Sequence, residues 1–233
     1  MVYKNGHGAK GKLTWNPVGK VTDCLDDLFY TCFGNVEPTG KSILLALDVS
    51  GSMTMGEIAG VPGLTPREAS AAMAMVTMRV EKDYEILGFS NGLVPIDISP
   101  KMRLDQVIQT IEKLPYSSTD CSLPMLWASN KAAKAPVGSI WSYHRNDLMK
   151  TPGRVVPFDA FVLYTDSETF VGDIHPVQAL QDYRKISGKP AKLVVVAMTS
   201  TGFSIADPND SGTLDVVGMD TATPNLISDF IKE

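Results

Sequence analysis

The sequence predicts an α/β domain with a doubly wound, mostly parallel sheet, one antiparallel edge strand and helices on both faces. Three observations carry this reading. The runs "SILLAL", "AFVLYTDS" and "KLVVVAMT" are apolar, rich in branched side chains and of strand length, and they alternate with segments of helical periodicity. Their apolar stretches are continuous, as a strand covered on both faces requires. Asn91-Gly92 stands between "YEILGFS" and "LVPIDI", a favoured two-residue hairpin turn that supplies the antiparallel strand.

Each element has a local reason. In "KVTDCLDDLFYTCF" the residues Val21, Leu25, Leu28, Phe29 and Cys32 fall at helical spacing and Gly34 ends the run, so an amphipathic helix packed on the domain is expected. "SILLAL" is the first central strand. In "TPREASAAMAMVTMRVEKD", Thr65 caps, Pro66 suits the first helical position and Glu68 completes a capping box. Ala69, Ala72, Met73, Val76 and Val80 make the core-facing stripe of that helix, with the methionines as filler. Helices follow at Leu104 to Leu114 and Pro124 to Lys134, then the strand "AFVLYTDS", the helix "HPVQALQDYRKI", the strand "KLVVVAMT", a short strand near Leu214 to Gly218 and a last helix from Pro224. Residues 1–20 read as an entry segment or linker and 21–233 as one domain, in which 136–157 form a loop insertion. That insertion joins a helix to a strand, so it is expected at the amino edge of the sheet, far from the carboxyl edge where ligands bind.

The 233 residues, 44% hydrophobic and 20% charged, are enough to bury a full core. No apolar run approaches the roughly 18 residues of a membrane span, and the polar opening "VYKNGHGAKGK" carries no secretory leader, so a soluble chain without membrane contact is expected. Three cysteines (Cys24, Cys32, Cys121) with no CxxC spacing indicate neither a disulfide framework nor a zinc site and suit a reducing compartment, the cytoplasm first and the nucleus second. A net charge of −5 argues against strong nonspecific binding of nucleic acid by the whole domain. The charge is uneven, however: residues 1–20 are basic, and the insertion holds Arg145, Lys150 and Arg154, a candidate RNA contact.

The chemistry gathers at the carboxyl edge. "LLALDVSGS" and "FVLYTDS" both end apolar strands in oxygen ligands, and "YSSTDCSLP" opens a helix between them. Convergence there would present Asp48, Ser50, Ser52, Thr119 and Asp166: two carboxylates, three hydroxyls, no thiolate and no imidazole. Such an oxygen-only set suits Mg²⁺ or Mn²⁺ and not zinc, and two carboxylates match one divalent charge. Neutral hydroxyls leave the ion electrophilic, so an open coordination position favours an incoming carboxylate from a partner protein. The bland reading is that Asp and Ser after a strand are ordinary turn residues.

"DVSGS", Thr119 in "STDCS" and Asp166 in "YTDSE" resemble the metal-ion-dependent adhesion site of von Willebrand factor A domains. "FYTCFGNVEPTGK", "TDCSLPM", "TDSETF", "HPVQALQDYRK", "PAKLVVVAMTS" and "GFSIADPNDSGTLDVVGMD" together resemble the carboxyl-terminal A domain of the Ro autoantigen family, RNA-binding proteins of TROVE type. The resemblance covers most of 21–233. It implies Ser50, Ser52 and Thr119 as direct hydroxyl ligands, Asp48 and Asp166 as carboxylates acting directly or through water, and Asp120 as a partner that orients the loop or caps the helix. It also implies a ribonucleoprotein role in small noncoding RNA binding and RNA quality control. In that family RNA is held mainly by a ring of helical repeats absent from this chain, and the insertion departs from the family pattern. An alternative is an RNA-contact module that uses the basic entry segment and insertion, with the metal site vestigial.

Enzyme readings fit poorly. A magnesium phosphotransferase of the haloacid dehalogenase type would carry an Asp where Ser50 stands, and "GDIHP" lacks the later acid. A serine-hydrolase elbow would need glycines at Asp48 and Ser52. "VEPTGKS" lacks the first glycine of a phosphate loop and precedes a strand. His7, His144 and His175 have no evident nucleophile to serve. The expectation is a binding module without catalysis.

Overall fold

The computed structural model describes residues 2–58, 61–115, 117–129, 155–166, 171–199 and 205–233. Strand β1 (Ile43–Asp48) has no residue more than 1% exposed, because it is covered on both faces. Alternation sends Ile43, Leu45 and Leu47 to one core and Leu44 and Ala46 to the other. Around β1 stand β2 (Tyr84–Phe89), β3 (Leu93–Val94), β4 (Ala160–Thr165), β5 (Lys192–Ala197) and β6 (Thr213–Val217), in the order β3-β2-β1-β4-β5-β6. All neighbours are parallel except β2 and β3.

The first core packs helices α3 (Pro66–Val80), α4 (Leu104–Glu112) and α7 (Thr223–Lys232) on one face of the sheet. The second packs α5 (Leu123–Ser129) and α6 (Pro176–Ser187) on the other. The capping box of α3 forms as its residue types require: Glu68 N–H donates to Thr65 Oγ1 at 3.3 Å and Thr65 N–H to Glu68 Oε2 at 2.9 Å. Beyond the expected stripe, Ala71, Ala74, Met75 and Met78 are also buried, because α3 touches β1, β4, α4 and α7 at once. Helix α6 closes at Gly188, whose φ of +69° is the left-handed cap that glycine adopts without cost.

Two local expectations need correction. Phe89 pairs with Leu93, so the hairpin loop is Ser90-Asn91-Gly92, one residue longer than the two-residue turn, and Ser90 N–H closes it on the Gly92 carbonyl. Helix α2 (Gly19–Thr31) exists, but Val21, Leu25 and Leu28 are 41%, 46% and 58% exposed. Cys32 is exposed as well; of the expected face Phe29 packs inward, joined by Tyr30 and Phe33, and the three rings meet edge to face, with the Arg79 guanidinium 4.0 Å from the Tyr30 ring centre. Finally, the polar entry segment contains a short helix α1 (Val2–Asn5), held by Lys4 Nζ on Asp105 at 2.9 Å and by Trp15 Nε1–H on the Tyr3 carbonyl at 2.9 Å. No described helix is long and apolar enough to cross a membrane. Arg145, Lys150, Arg154 and most of the 136–157 insertion lie outside the described residues.

Candidate metal centre

The strand order turns at β1: the chain runs outward through β2 and β3, then returns to the other side with β4, β5 and β6. The carboxyl ends of β1 and β4 therefore flank the crevice where doubly wound sheets take ligands. Asp48 is the last residue of β1, and Asp166 follows β4 directly. Both are buried.

Asp48 is held on both oxygens. Its Oδ1 accepts the Ser50 N–H at 2.8 Å, and its Oδ2 accepts the Thr165 hydroxyl at 2.8 Å. Burial drives its carboxyl up to about 7; hydrogen bonds from Ser50 and Thr165 hold it back, while the charge of Asp166 adds to the rise. A carboxylate enclosed beside a second acid is unfavourable unless a positive charge joins it. The Ser50 and Ser52 hydroxyls lie 3.0 Å apart on the loop that leaves β1. That loop turns through a short 3₁₀ segment, Ser52–Thr54, anchored by the fully buried Met53.

Thr119 and Asp120 enter from the segment before α5, and both are buried. Asp120 N–H donates to the Ser90 carbonyl just beyond β2, and the Thr119 carbonyl accepts Val171 N–H beyond β4, so this segment is tied to the loops after both strands. Asp120 Oδ1 accepts the Ser122 N–H at 2.9 Å and its hydroxyl at 2.6 Å, a turn that fixes the residue just ahead of α5. Gly172, at φ +127°, lies so close that a Cβ there would sit 2.7 Å from the Asp120 carboxyl. Asp48, Ser50 and Ser52 thus share one loop, Asp166 stands within electrostatic reach of Asp48, and Thr119 and Asp120 line the same edge.

Sequence reasoning missed Thr165, Gly172 and the buried Arg67, whose Nη2 donates to the Val49 and Ser50 carbonyls. Thr165 stands beside Asp166 in "YTDSE" and was open to notice; Gly172 and Arg67 act across long sequence separations. Among the described residues no three His, Cys, Asp or Glu side chains form a metal-holding group. The acidic part here is a pair, and its complement is hydroxyls, so the donor set fits a hard divalent cation rather than zinc.

A sheet of this order, with the D-x-S-x-S loop at its turning point, defines the von Willebrand factor A class of domains. Within that class the chain belongs to the Ro60 vWA domain family, whose model matches residues 42–144 and 153–231. A Deinococcus radiodurans protein named RNA-binding protein RO60 is 43% identical over 232 residues, covering 100% of this chain and 39% of that protein. A Caenorhabditis elegans protein of the same name is 38% identical over 231 residues, covering 99% of this chain and 32% of that protein. The crystal structure of the Deinococcus radiodurans RO (RSR) protein matches all of this chain with a TM-score of 0.78 at 42% identity, over 42% of its own length. The chain therefore spans less than half the length of these relatives.

Proposed function

We propose that this chain is the divalent-cation-dependent binding module of a Ro-type ribonucleoprotein, acting in small noncoding RNA binding and RNA quality control. The carrying observation is the buried Asp48 carboxyl at the end of β1, raised by burial and by Asp166, next to the paired hydroxyls of Ser50 and Ser52. Ser50, Ser52 and Thr119 would supply hydroxyl ligands to Mg²⁺ or Mn²⁺, with Asp48 and Asp166 bound directly or through water. When bound, the cation offers an electrophilic position to an acidic side chain of a partner protein. The protein's own residues supply the rest: Asp48 and Asp166 balance the charge, and Thr165 and Ser50 N–H orient Asp48. The names of the two relatives support the RNA association. In this reading RNA is held mainly by residues beyond the span matched here, the module does no catalysis, and it works in the cytoplasm first and the nucleus second.

Thermal melts with Mg²⁺ and with chelator test the proposal. At a cation concentration ten times its dissociation constant, the folded domain gains about 1.4 kcal/mol. Superimposable melts with metal and with chelator reject a folded-state cation site.

A further inference from the structure

We propose that Arg67 is a positioning residue for the cation site, gripping the two peptide planes that set where the Ser50 and Ser52 hydroxyls point. The inference rests on the metal reading above. Arg67 lies in the first turn of α3, only 6% exposed, on a helix start fixed by Pro66 and the Thr65–Glu68 capping box. Its Nη2 donates to the Val49 carbonyl at 3.3 Å and to the Ser50 carbonyl at 3.1 Å.

The peptide between Val49 and Ser50 is held on both edges. Its carbonyl accepts from Arg67, while its N–H donates to Asp48 Oδ1 at 2.8 Å. A trans peptide, the form taken throughout the described residues, sends its C=O and N–H to opposite sides. Guanidinium and carboxylate therefore clamp one plane between them. The Ser50 carbonyl is drawn to the same guanidinium, which turns the next N–H, that of Gly51, away from Arg67. Were either plane to rotate, a carbonyl acceptor would replace an N–H donor on the side facing the carboxylates, and the rotation would carry the Ser50 hydroxyl away from Ser52. A buried guanidinium is costly to desolvate; here one of its nitrogens, Nη2, reaches both carbonyls from a rigid planar group whose direction the first turn of α3 sets, whereas the ammonium of a lysine sits on a flexible stem.

The test uses the 233-residue chain as wild type, Arg67→Lys, Arg67→Met and Asp48→Asn. Mg²⁺ and Mn²⁺ affinities are measured by titration calorimetry at a temperature where circular dichroism shows each protein folded. Arg67→Met is expected to bind about 10–100-fold more weakly, as substitutions behind a ligand do, with Arg67→Lys between it and wild type. If wild type binds cation and Arg67→Met binds it equally well, positioning by Arg67 is overturned and the metal reading stands. If wild type itself binds none, the metal reading falls. Should Arg67→Met fail to fold, Arg67→Lys carries the test together with hydrogen exchange of the Ser50 amide: faster exchange and weaker binding support the clamp, while unchanged exchange and affinity overturn it.

Discussion

Replacing Asp48 with asparagine should stabilise the metal-free protein while abolishing its response to cation. The asparagine side chain keeps an oxygen for the Ser50 N–H, and the Thr165 hydroxyl can turn to accept from the new amide, so both hydrogen bonds survive. The charge does not. The Asp48 carboxyl titrates near 7 in the fold against an ordinary value of 3.8, so holding it ionised at pH 8 costs about 4 kcal/mol. The sign follows from the raised folded value: the penalty is absent below the ordinary value, grows as pH rises from there, and is complete above the folded one. In chelator at pH 8 the variant should therefore melt up to about 10 °C above wild type, with the gap shrinking to about 2 kcal/mol at pH 5 and nearly vanishing below pH 4. Saturating Mg²⁺ narrows the gap at pH 8, since a hundredfold excess over the dissociation constant gives wild type about 2.7 kcal/mol and the variant nothing. Differential scanning calorimetry at three pH values, with metal and with chelator, reads every term. A variant-to-wild-type gap in chelator that is the same at pH 5 and pH 8, or a variant that still gains from Mg²⁺, would sink this account of Asp48.

Two further perturbations probe the surroundings. Gly172→Ala places a Cβ against the Asp120 carboxyl at a φ of +127°, so it should cost about 1–3 kcal/mol in urea unfolding and weaken cation stabilisation; an unchanged midpoint would show that the loop yields freely. Away from the site, burial pushes the Asp210 carboxyl up, but the Arg184 guanidinium and the Gly212 N–H together hold it below the usual carboxylate range. That stabilisation is present above the ordinary carboxylate pKa and lost as pH falls through the lowered one. Asp210→Asn should accordingly flatten the acid limb of the urea-midpoint curve, and an acid limb identical to wild type counts against this pairing.

Strand identity was legible because burial on both faces leaves a mark that turns do not imitate. Ile43 to Leu47 reads as a central strand whatever surrounds it, and Thr65-Pro66 with Glu68 announces a helix start through purely local bonds. Helix α2 shows the limit. Helical spacing reveals that Val21, Leu25 and Leu28 share a face, but which apolar face meets the protein is decided by Phe29, Tyr30 and Phe33 packing with Arg79, a residue of another helix. Helix α1 was hidden because four polar-flanked residues hold together only through partners such as Asp105. At the site the hydroxyls and carboxylates proposed as ligands were readable, since they follow two apolar strands in the same way. The grip of Arg67 on the Val49 and Ser50 carbonyls was not, because a guanidinium bonded to backbone imposes no residue type on the loop it holds.

The hydrogen bond from Thr165 to Asp48 joins residues 117 positions apart. Half the chain must be in place before those two groups meet, so a folding intermediate in which β4 has not reached β1 holds Asp48, Ser50 and Ser52 without Asp166 or the Thr165 hydroxyl, an incomplete set for a cation. Metal should thus act almost wholly on the unfolding arm of the kinetics, prolonging the lifetime of the finished domain without hastening its formation.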